Sequence, residues 1–549
     1  VAIYSIIALL YVAGSRFVVR YYLLRRYIMP TVARVAIYGA GDAGAHLSGL
    51  LMTTRAFDPV VFIDDNKALR GRMVNGIKVQ LPDSLPSLIK SHGIDRILLA
   101  LPSLSRHRRR EILTKLEPLG VHVQSVPDIG QLVTGTANLT DLREVDVCDL
   151  LGRDAVPPKA ALFDACIRDR VVMVTGAGGS IGSELCRQII GLAPRRLVLF
   201  EMSELALYNI ERELRALAEK NALSTELIGL MGNAHDRLRV RDIFNAYRVQ
   251  TVYHAAAYKH VPIVEQNVIE GINNNVISTW NVAEAAHEAD VETFVLISTD
   301  KAVNPTNVMG ATKRFAEIVL QGLQRRGSKT RFCMVRFGNV LASSGSVVPL
   351  FNEQIKAGGP VTVTHPEVIR YFMTIPEAAQ LVIQAGSMAE GGDVFVLDMG
   401  KPVRIGDLAR RMIHLAGLTV RDDQHPEGDI EISFTGLRPA EKLYEELLIG
   451  NNVTGTEHPM ILRAIEHSMP WERVHEFLSE TTSAMGRFDC QRSLQLLSDV
   501  VAEYTPAPQA HDLVWARLST MTSDDRKVTS LKPRRVARIP GPSDSARPS

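Results

Sequence analysis

The stretch Val171-Val-Met-Val-Thr-Gly-Ala-Gly-Gly-Ser-Ile-Gly182 decides the fold of this chain. A short apolar strand runs directly into a glycine-rich turn, and the residues after the turn are compatible with a helix. Glycine lets the backbone turn tightly and approach a phosphate, while the helix offers unpaired N–H groups and the positive end of its dipole. Strand, turn and helix together predict a Rossmann-like unit.

A carboxylate completes this pattern at the end of the next strand. Arg196-Leu-Val-Leu-Phe200 ends at Glu201, where a carboxylate can accept hydrogen bonds from both ribose hydroxyls of NAD and repels the 2′-phosphate of NADP. NAD is therefore favoured over NADP, although Ser203 beside the carboxylate leaves NADP open. The predicted cofactor-binding residues of this turn and strand are Gly176, Gly179, Ser180, Ile181, Gly182 and Glu201.

A second glycine turn precedes this one in the chain. Val35-Ala-Ile-Tyr38 leads into Gly39-Ala-Gly-Asp-Ala-Gly44, and apolar stretches then alternate with helical patterns to about residue 130. The fold class predicted is therefore α/β, with two Rossmann-like doubly wound parallel sheets. Asp64 and Asp65 follow a strand of the first sheet, but no catalytic cluster comes after them. This unit is either a degenerate, structural or regulatory Rossmann unit or a second cofactor site.

Length and composition exclude several classes of protein. The chain has 549 residues, too many for one hydrophobic core, and is 46% hydrophobic and 22% charged, which excludes wholesale disorder, collagen and a multi-span transporter. The net charge of +2 is too small to indicate a surface that binds nucleic acid, so no nucleic-acid partner is predicted. Five scattered cysteines without CxxC spacing indicate neither a disulfide framework nor a metal site, and a reducing cytosol fits them best.

The first thirty residues have the pattern of a membrane boundary. Val1 to Ala13 is almost wholly apolar but falls short of the ~20 residues that cross a bilayer. Arginines and tyrosines follow, as is typical of a juxtamembrane segment. We interpret residues 1–30 as the end of a transmembrane helix, with a buried helix as the alternative. The chain after Arg16 would then face the cytoplasm.

The remaining boundaries are predicted from composition and periodicity. A first Rossmann-like domain is predicted over residues 31–150, and prolines 157 and 158 separate it from a second, cofactor-binding domain over 160–450. A C-terminal helical region over 451–520 comes next. Residues 521–549 are rich in Ser, Pro, Lys and Arg and are predicted to be a disordered tail.

Polar clusters come after the later strands of the second domain, where ligands of a parallel sheet lie. The first cluster spans residues 254–262, and the second contains Ser298-Thr-Asp-Lys301. These blocks are part of a larger set with the same order as in one known family. The set comprises residues 175–182, His254-Ala-Ala-Ala-Tyr-Lys-His-Val261, Ser298–Lys301, Arg336-Phe-Gly-Asn-Val340, Arg370-Tyr-Phe-Met-Thr374 and Leu437-Arg-Pro-Ala-Glu-Lys-Leu-Tyr444.

On these blocks, residues 1 to about 480 resemble the membrane-anchored nucleotide-sugar 4,6-dehydratases of bacterial polysaccharide biosynthesis. These are the CapD/WbpM-like branch of the extended short-chain dehydrogenase/reductases. The resemblance implies a UDP-N-acetylhexosamine substrate, a C-terminal substrate-binding part of the second domain, and a role in capsule or O-antigen synthesis. It also implies further N-terminal transmembrane helices, catalytic domains on the cytoplasmic side of a bacterial inner membrane, and a homo-oligomer.

Dehydration of a sugar requires an acid and a base beside the nicotinamide. Oxidation at C4 acidifies the C5 proton, a base removes it, an acid protonates the departing C6 hydroxyl, and the hydride returns to C6. By the order of the family, Asp300 is the acid and Lys301 the base. Free carboxyl and amino groups, with pKa values of ~3.9 and ~10.4, are in the wrong protonation states. Burial is expected to raise the first pKa and lower the second, while their mutual attraction opposes both shifts.

Met309 departs from the wider superfamily, which has a tyrosine four residues before the lysine that is here Lys313. A thioether cannot titrate, so the base for the C4 hydroxyl stays open. Thr299 is one candidate, as a relay to Asp300 or Lys301, and Lys313 is expected to hold the nicotinamide ribose. Met309 is common in the membrane-anchored branch, so it does not imply an inactive protein.

The remaining site residues are implied by the resemblance. Lys259 and Asn339 are expected near the sugar, Arg370 and Arg438 at the diphosphate, and Glu441 at the uridine ribose. Asp236 is expected to read the adenine amino group, and Ala256 to contact the cofactor. Ala440 replaces the usual glycine of its motif, which makes the local backbone less certain.

Two other functions are retained as alternatives. A UDP-N-acetylhexosamine 4-epimerase needs the same oxidation without elimination, but it has no use for an acid at C6 and normally relies on the missing tyrosine. A membrane-tethered nucleotide-sugar sensor is suggested by Met309 and the extra Rossmann-like unit.

Overall fold

The computed structural model describes residues 11, 14–16, 32–54, 56–101, 104–126, 143–145, 148–149, 156–341, 343, 345–446, 453–466, 468–506 and 512–520. Most of the predicted transmembrane end and all of the predicted C-terminal tail lie outside these residues. Within the part of the chain that is described, no helix is both long and apolar enough to cross a membrane. The transmembrane assignment therefore stays a prediction.

The first unit is built on a seven-stranded sheet of order β3-β4-β2-β1-β5-β6-β7. Its strands are β1 (Arg34–Tyr38), β2 (Asp58–Ile63), β3 (Met73–Val74), β4 (Ile77–Gln80), β5 (Arg96–Leu99), β6 (His122–Ser125) and β7 (Arg143–Glu144). Its helices are α1 (Asp42–Thr54), α2 (Leu85–His92) and α3 (Arg106–Leu116). The five strands β4-β2-β1-β5-β6 are parallel, and α1 packs on the opposite face from α2 and α3. The predicted doubly wound parallel sheet is thus confirmed.

The second unit contains a nine-stranded sheet of order β10-β9-β8-β11-β12-β13-β18-β23-β22. Its strands are β8 (Val171–Thr175), β9 (Arg196–Glu201), β10 (Glu226–Met231), β11 (Thr251–His254), β12 (Thr293–Ile297), β13 (Arg331–Arg336), β18 (Asp393–Leu397), β22 (Val453–Gly455) and β23 (Ile461–Ala464). The seven strands from β10 to β18 are parallel. The strand order reverses between β8 and β11, which places a ligand crevice beyond their carboxyl ends.

Helices cover both faces of this sheet. The second unit contains the helices α4 (Ala160–Asp164), α5 (Ser180–Ile190), α6 (Glu204–Lys220), α7 (Arg237–Tyr247), α8 (Val261–Glu265), α9 (Val268–Ile272), α10 (Ser278–Glu288), α11 (Val308–Arg325), α12 (Val347–Lys356), α13 (Ile375–Ser387), α14 (Ile405–Leu415), α15 (Trp471–Gly486), α16 (Cys490–Val500) and α17 (Leu513–Thr520). Of these, α12 and α14 pack in the substrate-side lobe described below and not on this sheet. Helix α11 is buried over nearly all its length, because it packs against the sheet on one side and against α15 and α16 on the other.

The region 451–520 is only partly helical, contrary to the prediction. Strands β22 and β23 lie within it and extend the sheet, with β23 antiparallel to β18 and β22 antiparallel to β23. The helices begin only at Trp471. The reason is tertiary, because β23 pairs with β18 and covers what would be an open sheet edge.

A substrate-side lobe stands over the carboxyl ends of the strands. It consists of helices α12 and α14 and of short strands in three small sheets. These strands are β14 (Asn339–Val340), β15 (Val361–Val363), β16 (Ile369–Arg370), β17 (Phe372–Met373), β19 (Val403–Arg404), β20 (Val420–Arg421) and β21 (Ile430–Phe434). The lobe shares one hydrophobic core with the first unit, and Glu117 is paired with Arg411 across the junction at 3.2 Å.

Candidate active site

A cavity of about 1140 Å³ lies between the glycine turn of the second unit and the substrate-side lobe. That volume is ample for a dinucleotide together with a nucleotide sugar. The predicted site residues that line it are Gly179, Ser180, Ile181, Gly182, Lys259, Thr299, Lys301, Met309, Lys313, Asn339, Arg370, Arg438 and Glu441. Gly176, Glu201, Asp236, Ala256 and Asp300 are not among the lining residues. One cavity thus brings together the larger part of both predicted groups.

The glycine turn has the shape that a pyrophosphate requires. Gly176 has a left-handed φ of 64°, and a Cβ there would lie 2.8 Å from the backbone nitrogen of Ala256. A Cβ on Gly182 would lie 2.0 Å from the carbonyl oxygen of Gly176. Helix α5 begins at Ser180, as predicted, and its first residues face the cavity. The turn therefore fits the close approach of a dinucleotide.

Glu201 is held by the backbone of this turn. Its Oε2 accepts a hydrogen bond from Gly178 N at 3.0 Å, and its Oε1 accepts from Met202 N at 2.9 Å and Ser203 N at 3.0 Å. Each carboxylate oxygen can accept about two hydrogen bonds, so Oε2 retains capacity for a ribose hydroxyl. The position suits the predicted role and at the same time braces the turn.

Asp236 has a local structural role that the motif did not reveal. Its carboxylate caps helix α7 by accepting a hydrogen bond from Arg239 N at 3.0 Å, and the residue is exposed. An N-terminal cap of this kind satisfies a backbone donor that would otherwise be free. A contact with adenine would have to come in addition to this cap.

Asp300 and Lys301 come directly after β12 and form an ion pair beneath the cavity floor. Lys301 Nζ lies 3.0 Å from Asp300 Oδ1, which also accepts a hydrogen bond from the Thr299 hydroxyl at 2.9 Å. Asp300 is 1% exposed, and its Oδ2 has no hydrogen-bond partner within the described structure. A Cβ on the cavity-lining Gly338 would lie 2.9 Å from that oxygen. The absence of a side chain there leaves the carboxyl close to the cavity.

The pKa of Lys301 is raised above its ordinary value. Burial lowers it, but the carboxylates of Asp300 and Glu445 raise it by more, so the pKa lies above its ordinary value. Glu445 Oε1 is 3.5 Å from Lys301 Nζ, and Asn339 Oδ1 accepts from the same nitrogen at 3.2 Å. In this structure the attraction of two carboxylates outweighs burial, and the lowering expected of Lys301 in a pocket closed by a sugar stays a prediction.

Glu445 is a site residue that the sequence did not reveal. It is 7% exposed and lies between Lys301 and Arg370, whose Nε is 3.8 Å from Glu445 Oε1. Arg370 also donates to Glu441 Oε1 at 2.8 Å. The predicted diphosphate and ribose residues are thus paired with each other. Glu445 comes directly after the block that ends at Tyr444, and its acidic neighbours were the only available signal.

Ala440 explains why glycine is usual at its position. Its φ is +64°, in the left-handed region that favours glycine. The turn keeps this conformation nonetheless, and Arg438 N donates to Glu441 Oε2 at 3.2 Å. The substitution therefore leaves the turn intact and adds local strain to it.

Met309 and Lys313 lie one turn apart on α11, and both line the cavity. Met309 is 3% exposed and Lys313 is 5% exposed. Burial lowers the pKa of Lys313 to about 8, and the carboxylate of Glu317 only partly opposes this. Behind them, the imidazole of His254 lies between the Thr175 and Thr279 hydroxyls, at 2.7 and 3.2 Å. Burial lowers the pKa of His254 to about 3, so this ring is neutral.

A buried ion cluster supports the strand ends from below. Arg336 is fully buried and donates to Glu317 Oε1 at 2.8 Å and to Glu466 Oε2 at 2.9 Å. Arg314 is paired with the same two carboxylates, at 3.2 and 2.8 Å. The Ser298 hydroxyl completes the coordination of Glu317 at 2.6 Å. A third carboxylate, Glu503, lies 4.0 Å from Arg314 at the edge of the cluster. The cluster holds Ser298 and so fixes the start of the turn that carries Asp300 and Lys301.

The comparisons with known proteins agree with this architecture. Residues 172–466 match the family described as "Polysaccharide biosynthesis protein", and residues 1–127 match one described as "CoA-binding domain". The chain is 45% identical to "Capsular polysaccharide biosynthesis protein CapD" of Staphylococcus aureus, over 81% of this chain and 74% of that protein. It is 43% identical to "Probable polysaccharide biosynthesis protein EpsC" of Bacillus subtilis, over 80% and 75%. A "UDP-glucose 4-epimerase" of Rickettsia canadensis is 32% identical over 53% of this chain and 80% of its own length.

The family match spans more than half of the chain, and the two polysaccharide proteins are similar along most of their length. The fold and the order of the predicted site residues along the chain agree with these matches. The chain therefore belongs to the CapD/EpsC-like family of polysaccharide biosynthesis proteins, with the α/β fold of the short-chain dehydrogenase/reductases.

Proposed function

We propose that this protein is an NAD-dependent UDP-N-acetylglucosamine 4,6-dehydratase that serves capsule or O-antigen synthesis. The observation that carries the proposal is the Asp300–Lys301 pair at a strand end, whose lysine lines the same cavity as the glycine turn. An oxidation alone has no use for such a pair, whereas an elimination needs an acid and a base together. The family membership and the nucleotide-sugar resemblance support the substrate class.

The cofactor would be held by the glycine turn, Glu201 and the first residues of α5. When bound, it supplies the means to oxidise C4 and to reduce C6 later with the same hydride. Met309 and Phe337 line the cavity and would shield the reacting carbons from water. Arg370 and Arg438 would bind the diphosphate, and the support is that both guanidinium side chains line the cavity.

The ion pair can reach the protonation states that the reaction needs by one internal proton transfer. If the proton on Lys301 Nζ moves along the 3.0 Å hydrogen bond to Asp300, the pair becomes a neutral amine and a neutral carboxylic acid. Exclusion of water favours the uncharged form, because burying two charges is costly. Lys301 would then remove the C5 proton, and Asp300 would protonate the departing C6 oxygen. When the hydride adds at C6, Lys301 would return a proton to C5.

The test is a single incubation of the protein with NAD and UDP-N-acetylglucosamine, followed by mass spectrometry. The proposal predicts a product lighter by one water. Lys301→Ala serves as the control and should give none. Unchanged substrate with bound NAD would contradict the proposal.

A 4-epimerase is the second candidate, and the 32% identity to a UDP-glucose 4-epimerase is what favours it. An epimerase would return a product of unchanged mass with inverted configuration at C4. The same incubation, read by NMR, distinguishes the two reactions. Met309 and the Asp300–Lys301 pair favour elimination.

We also propose attachment to the bacterial inner membrane, with the catalytic cavity in the cytoplasm. The support is the apolar and basic pattern of residues 1–30. Fractionation of cells that express the protein, before and after deletion of those residues, tests this.

A further inference from the structure

We propose that Lys313 is the base that removes the proton of the C4 hydroxyl, in the place that a tyrosine occupies elsewhere in the superfamily. The inference rests on the proposed function only in requiring an oxidation at C4. It therefore holds for a dehydratase and an epimerase alike.

The first observation is the position of Lys313. The side chains of Met309 and Lys313 lie on one face of α11, and both reach the cavity that also contains Thr299 and Lys301. Met309 carries no titratable group, and α11 brings no other titratable side chain to this wall of the cavity. Lys313 is thus the amine one helical turn from the position of the missing phenol.

The second observation is that Lys313 has no counter-ion. No carboxylate lies within 4.0 Å of its Nζ, and no hydrogen-bond partner is found for it, among the residues that the structure describes. Glu317, one turn further along α11, is already bound by Arg314, Arg336 and Ser298. A buried amine without a partner loses its proton most readily.

The surroundings of Lys313 contain few other charges. His254, packed behind it from β11, is neutral above its pKa of about 3. The Asp300–Lys301 pair, in the turn after β12, has a net charge near zero. Lys259 and Glu270 also line the cavity, from the segments after β11. The pKa of about 8 for Lys313 is consistent with this setting, and part of the population carries a free lone pair at neutral pH.

The proposed step balances without a further reagent. The O4–H bond breaks and its proton passes to the lone pair of Lys313 Nζ, while the C4–H bond electrons leave as a hydride to the cofactor. In the dehydratase, C4 stays a ketone, so the O4 proton stays on Lys313 while Asp300 has lost one proton to the departing water. Lys301 ends unchanged, because it takes a proton from C5 and returns one to C5 when the hydride adds at C6. Thr299 can pass the proton from Lys313 back to Asp300, because its hydroxyl lines the cavity and donates a hydrogen bond to Asp300 Oδ1 at 2.9 Å.

The alternative is that Lys313 only holds the nicotinamide ribose as a permanent cation. The variant Lys313→Arg distinguishes the two roles, because arginine keeps the positive charge but cannot lose its proton near neutral pH. We expect Lys313→Arg to bind NAD within about threefold of the unaltered protein, but to lose about 10³-fold in turnover and to form no reduced cofactor. A ribose-holding role predicts turnover within tenfold.

A rescue variant separates loss of the base from local damage. In the double variant Met309→Tyr and Lys313→Arg, a phenol is restored beside a fixed cation. We expect at least a tenfold recovery of turnover relative to Lys313→Arg alone, with an altered acid limb of the pH profile. Failure of this recovery in a variant that binds NAD normally would count against the proposal.

A measurement on the unaltered protein needs no turnover. Competitive acetylation across pH 6–11, read by peptide mass spectrometry, reports when each lysine becomes a free amine. The proposal predicts a midpoint for Lys313 near its pKa of about 8, and a midpoint for Lys301 above that of an ordinary lysine. A midpoint for Lys313 at the ordinary ~10.4 would overturn it. Absence of all turnover in the unaltered protein would instead overturn the proposed function.

Discussion

The two Rossmann-like units contain the same kind of tight glycine turn but differ in the residues beside it. In the first unit, a Cβ on Gly44 would lie 1.9 Å from the Gly39 carbonyl oxygen, and in the second a Cβ on Gly182 would lie 2.0 Å from that of Gly176. An acidic side chain from the next strand braces each turn. Asp64 Oδ2 accepts from Ala40 N at 2.8 Å, as Glu201 Oε2 accepts from Gly178 N at 3.0 Å.

The difference lies at the ends of the neighbouring strands. In the first unit, β5 leads into Ala100 and Leu101, which pack so closely on Gly39 that a Cβ there would lie 2.7 Å from Ala100 O. In the second unit, β12 leads into Asp300 and Lys301. A glycine turn thus defines the fold, while chemistry depends on the side chains at the carboxyl ends of the adjacent strands.

The largest expected difference concerns Lys301. We expect Lys301→Ala to lower turnover by about 10³-fold, because it removes the base of the elimination. The matched change in the first unit is Arg108→Ala, whose guanidinium is paired with Asp65 at 3.4 Å. That variant should turn over at the rate of the unaltered protein. Steady-state rates compare the two, and an equal loss in both would place the first unit in the catalytic machinery.

The second difference concerns the glycine turns. Alanine at Gly182 or Gly44 forces a shift of the turn, since the added Cβ meets a carbonyl oxygen in both places. Each should lower the free energy of unfolding by about 2 kcal/mol. Only Gly182→Ala should weaken NAD binding, by about 100-fold, as measured by calorimetry. Equal loss of NAD binding in Gly44→Ala would contradict the assignment of the cofactor to the second unit.

The third expected difference concerns how the stability of each unit depends on pH. His254 has a pKa of about 3 in the fold, below ~6.5 in the unfolded chain, so the unfolded chain binds the proton first. Its contribution to stability is complete above pH ~6.5 and falls by about 1.4 kcal/mol per pH unit as the pH drops towards 3. The described histidines of the first unit, His46, His92, His107 and His122, are exposed or half-buried.

Urea unfolding between pH 7 and pH 5 measures this effect. His254→Gln should show a shallower loss of stability over that range than the unaltered protein, because the glutamine does not titrate. Identical slopes for the two proteins would show that His254 is not the group responsible.

The smallest expected difference concerns the two bracing carboxylates. Glu201→Ala should weaken NAD binding about tenfold, because charge-assisted hydrogen bonds are lost. It should also reduce the ratio of the affinity for NAD to the affinity for NADP. Asp64→Ala, the matched change, should leave both affinities unaltered. A tenfold loss of NAD affinity in Asp64→Ala would mean that the first unit also takes part in cofactor binding.

The sequence was sufficient for most of the fold. The strand predicted at Arg196–Phe200 is observed as β9, and a helix follows the glycine turn as predicted, since apolar runs and glycine turns are local signals. Strands β22 and β23 were not predicted, because their pairing with β18 is a long-range contact. The sequence also predicted one site for Lys301, Met309 and Lys313, and all three residues line the same cavity.

The charge states of the site could not be predicted in the same way. The pKa of Lys301 depends on Glu445, which reaches it from a loop far along the chain. The low pKa of Lys313 depends on the burial of its amine, which outweighs the attraction of the Glu317 carboxylate. Such balances are set by three-dimensional neighbours, and no spacing rule reports them.

In the proposed reaction, C5 gives up its proton while water leaves from C6. Incubation with NAD and UDP-N-acetylglucosamine in deuterium oxide, read by mass spectrometry and NMR, tests this step directly. We predict a 4-keto product that has lost one water, carries one deuterium at C5 and retains the original C4 hydrogen at C6. A product of unchanged mass, or one that has lost water without deuterium at C5, would contradict the proposed mechanism.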